Sequence, residues 1–341
     1  MTVIRRLGTT GILSAALLSG PAEAAAQAWV PAKGEGAIAV AAQNMNVKTH
    51  LAGTVRKAVG QIHTYVLLGD LSYGLTDKLA VDLGVPLVTS KYQGPFPHSG
   101  TNIDDGTYRS TVTDFRMSVR YNITREGMVF TPYIGTVVPS HSYQYYGHAA
   151  AGQRLREVQV GAFAARLIDS GRLAGLFISG RAGYGFVEQV MDMSHNRTSG
   201  DFEVGYFLTP SLRAFGIVSG QYTHGGIDFP ASGGLAALRP EHKFVHDIIQ
   251  QVHYVHAGGG VSYSINDSID MFASFARLVT GRNGHALTRG ITIGASWGFS
   301  RSKSNGNTTG TGGGAPSAEY ARLTGKKEGS LGRCICQKSA S

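Results

Sequence analysis

The stretch 292-TIGASWGF-299 decides how the chain is read: small or polar residues hold its even positions, while Ile293, Trp297 and Phe299 stand at odd ones. Successive side chains of a strand point to opposite faces, so such a strand is apolar on one face and small and polar on the other. Beyond Phe299 the alternation stops, and a tail rich in Ser, Gly, Asn and Lys runs on to Ser341. A strand with unlike faces needs unlike surroundings on its two sides.

The opposite end of the chain bears on what those surroundings are. Arg5 and Arg6 precede the apolar run GILSAALLSG and then the small-residue stretch PAEAAAQA. This is the pattern of a secretory signal peptide, residues 1–26, with cleavage after Ala24, Ala26 or Ala28 allowed and Ala26 or Ala28 preferred. No later segment has the ~20 consecutive apolar residues of a membrane helix. The only cysteines, Cys334 and Cys336, lie in the tail, so an exported body is built without a disulfide framework. Two residues apart, they are poorly placed to bridge each other.

The formal charge of +9 overstates the basicity of that body. The leader accounts for one of these charges and the tail from Ser300 for five, which leaves +3. Its basic residues are scattered among acids in no stripe or known motif, so nucleic acid is not an expected partner. The tail's composition predicts disorder over 300–341.

Period-2 alternation recurs through the body, and sustained helical periodicity does not. In LAVDLGVPLV the odd positions from Leu79 to Leu87 are apolar, with Asp82 opposite; in TDFRMSVRYNI, Phe115, Met117, Val119 and Tyr121 oppose Asp114, Arg116 and Arg120. In DFEVGYFL, Phe202, Val204 and Tyr206 oppose Glu203. The pattern predicts about twelve strands, near 35–48, 61–74, 79–90, 109–123, 128–140, 154–168, 173–189, 198–208, 211–223, 244–265, 268–280 and 287–299. The connections alternate between short turns such as LTDK, TREG and NDS and mostly longer loops such as KYQGPFPHSGTNIDDGTY.

An even number of strands with loops of two lengths at two ends describes a transmembrane antiparallel up-and-down β-barrel over 27–299. In lipid every backbone polar group must be paired, so the sheet must close on itself. Tyr73, Tyr121, Tyr206 and Trp297, near short turns on the predicted outer face, fit one aromatic girdle. The spacing of Thr292, Gly294, Trp297 and Phe299 resembles the C-terminal sorting motif of bacterial outer-membrane proteins. That resemblance implies the barrel-assembly machinery as a partner, and the outer membrane of a Gram-negative bacterium, with its lipids and lipopolysaccharide, as the location. Such proteins commonly finish at the closing Phe; this chain continues.

A wider resemblance covers most of the barrel. WVPAKGEGAIAVAAQ, GDLSYGLTDKLAVDLGVPLV, VTDFRMSVRYNI and FTPYIGTVVPS are similar to the MetA-pathway of phenol degradation family, outer-membrane proteins often called transporters. The likeness lies in turns and strands. It implies the architecture and a role in handling aromatic compounds, and it carries no functional residues across.

Alternation turns Phe163, Phe177, Phe207, Phe215 and Phe272 into the lumen, in the half nearer the short turns. They are either packing that fills a narrow bore or an apolar track for a solute. The polar lumen set is Asp82, Asp114, Arg116, Arg120, Arg181 and Glu203, among which Asp82 reads as a position tolerant of substitution. Enzyme activity is not expected. In PSHSY, Ser140 and Ser142 flank His141 and in a regular strand face away from it. The twelve histidines fall in external loops or outer strand parts, but no pair has a ligand spacing, so no metal or cofactor is expected. The expectation is a channel for diffusion of a small-molecule solute, apolar or aromatic. The other reading is an occluded barrel acting through its loops. Too few residues precede the first strand for a plug domain.

Overall fold

The computed structural model describes residues 28–94, 103–125, 127–228, 239–243 and 245–300. The leader, the tail with Cys334 and Cys336, and His98 lie outside the described residues. The strands are β1 (Glu35–Ala52), β2 (Val55–Gly74), β3 (Leu79–Gln93), β4 (Arg109–Val112), β5 (Asp114–Tyr121), β6 (Met128–Pro139) and β7 (Glu157–Leu167). They continue with β8 (Leu176–Val187), β9 (His195–Phe207), β10 (Leu212–Gly225), β11 (His253–Asn266), β12 (Ile269–Arg282) and β13 (Gly284–Ser300). Both β4 and β5 pair with β3 and are halves of one wall strand interrupted at Thr113, whose N–H donates to the Pro86 carbonyl at 3.0 Å. The result is a closed antiparallel barrel of twelve strands.

Closure is made by the strand that opened the reading. β13 pairs with β1 from Glu35↔Ser300 to Leu51↔Gly284, with register shifts around Val47. Ile293 and Trp297 are exposed on the outer face and Thr292 is buried on the inner one. Gly294 is small for a reason: an added Cβ would stand 2.4 Å from the inward Phe272 ring. Tyr121, Tyr206 and Trp297 are exposed near the short turns, and Phe299 stacks on Tyr73 with centroids 6.5 Å apart. At the other end Tyr65, Tyr108, Phe186 and Tyr222 are exposed. The outer wall is thus an apolar band between two aromatic rims, as a bilayer requires.

Two boundaries differ from expectation. Residues 49–60, expected as an external connection, instead continue β1 and β2 to a tight turn at Gly53, because both strands have partners to that point. Residues 245–252, expected inside a strand, hold the single helical turn His246–Ile249, and β11 starts only at His253. The apolar residues there, Val245, Ile248 and Ile249, recur at helical spacing and pack on Tyr143, Tyr145 and Val187. The alternation of a strand is absent there.

The wall predicts sharply different responses for its two faces. Val85→Arg, on the outer face in the middle of β3, is expected to cost ~2–4 kcal/mol and to leave much of the protein unassembled. The measurement is heat-modifiable migration in detergent gels of extracted membranes, in which an unassembled chain runs at its fully denatured position.

Candidate functional site: the barrel lumen

At the short-turn end the chain re-enters its own barrel. The segment just before β1 lays Ala28 and Trp29 against Phe163, Phe177 and Phe207, with Val129 and Tyr133 around them. The Trp29 indole lies 5.6 Å from the Phe177 ring and is 9% exposed. Its backbone is held as well: Thr131 Oγ1 donates to the Ala28 carbonyl at 2.6 Å, and Arg120 Nη1 to the Trp29 carbonyl at 3.2 Å. This segment covers the floor of the lumen.

All five inward Phe side chains are buried, but they do not form one track. Phe163, Phe177 and Phe207 make the floor with Trp29. Phe215 joins them through the Arg213 guanidinium, whose carbon lies 5.1 Å from both the Phe177 and Phe215 ring centres. Phe272 stands apart, packed on Ala41 and Leu68.

Through the floor and above it runs a belt of paired charges: in the strand register Arg213 opposes Phe207 and Arg181 opposes Phe163. Asp82 takes two bonds from Arg120, Nε at 2.8 Å and Nη2 at 2.7 Å, and a third from Ser118 at 2.6 Å. Arg213 Nη1 donates to Glu203 at 2.6 Å, and both side chains are only 2% exposed. Arg181 Nε meets Asp201 at 2.7 Å, and Arg116 Nη2 meets Asp70 at 3.3 Å. Arg197 pairs with Glu157 and also donates to Gln153 at 2.9 Å. Asp114 accepts the Tyr143 hydroxyl at 2.5 Å from the loop above. The expectation that Asp82 tolerates substitution overlooks this partner: its carboxylate neutralises a buried guanidinium, so substitution removes that neutralising charge.

The expected lumen residues thus stand at the inner wall, and their partners include residues that alternation alone did not single out. Arg213 shares a face with Phe215 two positions on, and Arg197 lies just before the expected start of its strand. Five of the belt's acids are each matched by an arginine, and the sixth, Asp114, is met by a tyrosine hydroxyl.

At the long-loop end, loop 140–156 descends into the mouth. Ala149 and Ala150 pack on Val47, Ile62, Tyr92 and Ile103, and the turn His246–Ile249 closes beside Tyr143 and Tyr145. Between this lid and the belt lies a cavity of about 30 Å³ bounded by Val66, Val88, Asp114, Arg116 and Arg197. That is room for water, not for a solute of several heavy atoms.

The same lid brings histidines together. His50 on β1, His148 in the loop and His285 on β13 have ring nitrogens within 4.8 Å of one another. Their spacing along the chain could not reveal this, because the three come from distant segments. Beside them Asp247 is buried and lies 3.2 Å from His246 Nε2. Burial pushes its carboxyl up, but His246 foremost, then His285 and His148, hold it well below the usual carboxylate range. Ser140 and His141 do meet, Oγ to Nδ1 at 2.8 Å, because β6 ends at Pro139 and strand geometry no longer separates them. The Ser140 proton is already donated to the Val112 carbonyl at 2.8 Å, so the pair is not arranged as nucleophile and base.

No known family profile matches the chain, and no curated protein does. The fold does have solved counterparts. The COG4313 outer membrane channel from Pseudomonas putida F1 is 12% identical, with a TM-score of 0.61 over 82% of this chain and all of that one. The NanC porin is 12% identical with a TM-score of 0.44, over 76% of this chain and 98% of that one. The Pseudomonas putida toluene transporter TodX is 10% identical with a TM-score of 0.40, over 85% and 94%. At these identities the likeness establishes an outer-membrane barrel fold and nothing finer.

The belt makes a stability prediction. Arg213→Met alone leaves Glu203 buried without its partner and is expected to cost about 3–5 kcal/mol, whereas the double variant Glu203→Leu, Arg213→Met recovers most of that loss. Urea unfolding in detergent micelles, followed by tryptophan fluorescence, measures both. Equal losses in the single and double variants would show that the pair is not coupled.

Proposed function

We propose that the protein is a gated outer-membrane channel of a Gram-negative bacterium that lets small apolar or aromatic solutes diffuse into the periplasm. The observation that carries this reading is the seating of Ala28 and Trp29 on the Phe163, Phe177 and Phe207 floor. A wall needs no such stopper, whereas a pore that opens transiently does. The segment is tethered by a few contacts on one side of the floor, so it can leave without breaking the barrel ladder. When it leaves, it uncovers an aromatic surface suited to apolar or aromatic cargo.

The resemblance of WVPAKGEGAIAVAAQ and FTPYIGTVVPS to the MetA-pathway of phenol degradation family points the same way. Short turns then face the periplasm and long loops the exterior, with lipids and lipopolysaccharide around the band. The barrel-assembly machinery reads Thr292, Gly294, Trp297 and Phe299 on the closing strand.

The runner-up, an occluded barrel that works through its external loops, draws on the packing of Ala149 and Ala150 into the mouth. The two readings separate in planar bilayers. Burying a large aromatic side chain is worth on the order of 1.5–3 kcal/mol, so Trp29→Ala is expected to raise the ratio of open to closed channel by about tenfold to a hundredfold. Uptake of an aromatic acid into liposomes rises with it. Silence of both wild type and variant, with assembly intact, would favour the occluded barrel.

A further inference from the structure

We propose that His50, His148 and His285 form a transition-metal site of the zinc type, which fastens loop 140–156 to the barrel wall. His50 and His285 are direct cross-strand partners on the two strands that close the barrel. The register shifts around Val47 lie just below them, and irregularities of this kind re-aim side chains at barrel rims. His148 comes from the loop, its ring stacked on His50 with centroids 4.5 Å apart, while His50 and His285 are 4.1 Å apart.

The loop is fixed in this position by its own chemistry. Asp104, fully buried, accepts the backbone N–H of His148 at 3.1 Å and that of Ala149 at 2.9 Å. Its Oδ2 lies 3.8 Å from His148 Nδ1. A small shift makes this the carboxylate–imidazole contact that orients metal-bound histidines and leaves Nε2 for the metal. Gly147 turns the chain at φ +100°, and a Cβ there would press within 2.8 Å of Ile103.

Two observations point to a ligand and away from simple packing. His50 Nε2 is buried without a hydrogen-bond partner, and so is Oδ2 of Asp247. The buried Asp247 carboxylate adds negative charge at this end of the barrel, which favours a divalent cation. Three imidazoles with a fourth position left open suit Zn²⁺, with Cu²⁺ and Ni²⁺ as chemical competitors. Nitrogens around a tetrahedral zinc with bonds near 2.05 Å stand about 3.3 Å apart. The present spacing of up to 4.8 Å closes with ring rotations of His148 and His285. Such a site does not depend on the channel reading. If that reading holds, metal at the mouth pins the lid that solutes must pass.

The test uses the untagged full chain with Cys334→Ser and Cys336→Ser, so that tail thiols do not compete, stripped with chelator and titrated with Zn²⁺ in detergent. One zinc per chain is expected by metal analysis. Co²⁺ in its place should give the intense visible bands of a tetrahedral site. His148→Ala, which leaves the barrel ladder untouched, and His285→Gln should each weaken binding by at least about 10–100-fold. The exposed control His224→Ala should not. Absence of stoichiometric zinc at micromolar concentrations, or binding unchanged in both ligand variants, overturns the site. Conductance recorded on the same samples separates the two proposals: zinc binding in a chain that never opens upholds the site while telling against the channel.

Discussion

Closure of β13 on β1 is the constraint from which the rest follows. A strand in lipid cannot leave its N–H and C=O groups unpaired, and the pairing from Glu35↔Ser300 to Leu51↔Gly284 removes the edges that an open sheet would expose. Once the sheet is closed, period-2 alternation sorts every wall residue into outside or inside. Ile293 and Trp297 meet the apolar phase; Thr292 and Gly294 meet the interior. The small inner residues then become a requirement, because Phe272 occupies the space that a side chain at Gly294 would need.

What fills the interior follows from its dielectric. Arg120 and Arg213 are almost completely buried, and each lies against an acid on a neighbouring strand. Unpaired, such charges would be prohibitive; paired, they tie neighbouring strands together along the inner wall. Around them the aromatic floor takes Trp29, and above them the loops contribute their own apolar contacts. The lumen therefore joins an aromatic floor threaded by paired charges to a lid that combines aliphatic packing with histidine.

The wall was legible in the sequence because alternation is the direct signature of a two-faced sheet, and all twelve wall strands lie near where it put them. The exceptions have physical causes. The 245–252 stretch is apolar in both descriptions, but its residues recur at the spacing of a helical turn. The turn at Gly53 is invisible to hydropathy, since strands that continue beyond the apolar band have no reason to stay apolar. The belt was half legible: Arg120 and Glu203 were read as inward, whereas Arg197 lay outside its expected strand. Trp29 and the histidine cluster were not legible at all. Each depends on residues roughly a hundred positions apart or more meeting in space, for which a single sequence holds no signal.

Closure itself is open to direct measurement. Val40 and Ala295 are directly opposed in the β1–β13 register. In a chain lacking Cys334 and Cys336, the substitutions Val40→Cys and Ala295→Cys should form an intrachain disulfide in intact membranes, seen as a gel-mobility shift reversed by reductant. The pair Val40→Cys and Ile291→Cys, displaced by four residues along β13, should not. Efficient cross-linking of the displaced pair, or none of the opposed pair in assembled protein, would contradict a barrel closed by its first and last strands.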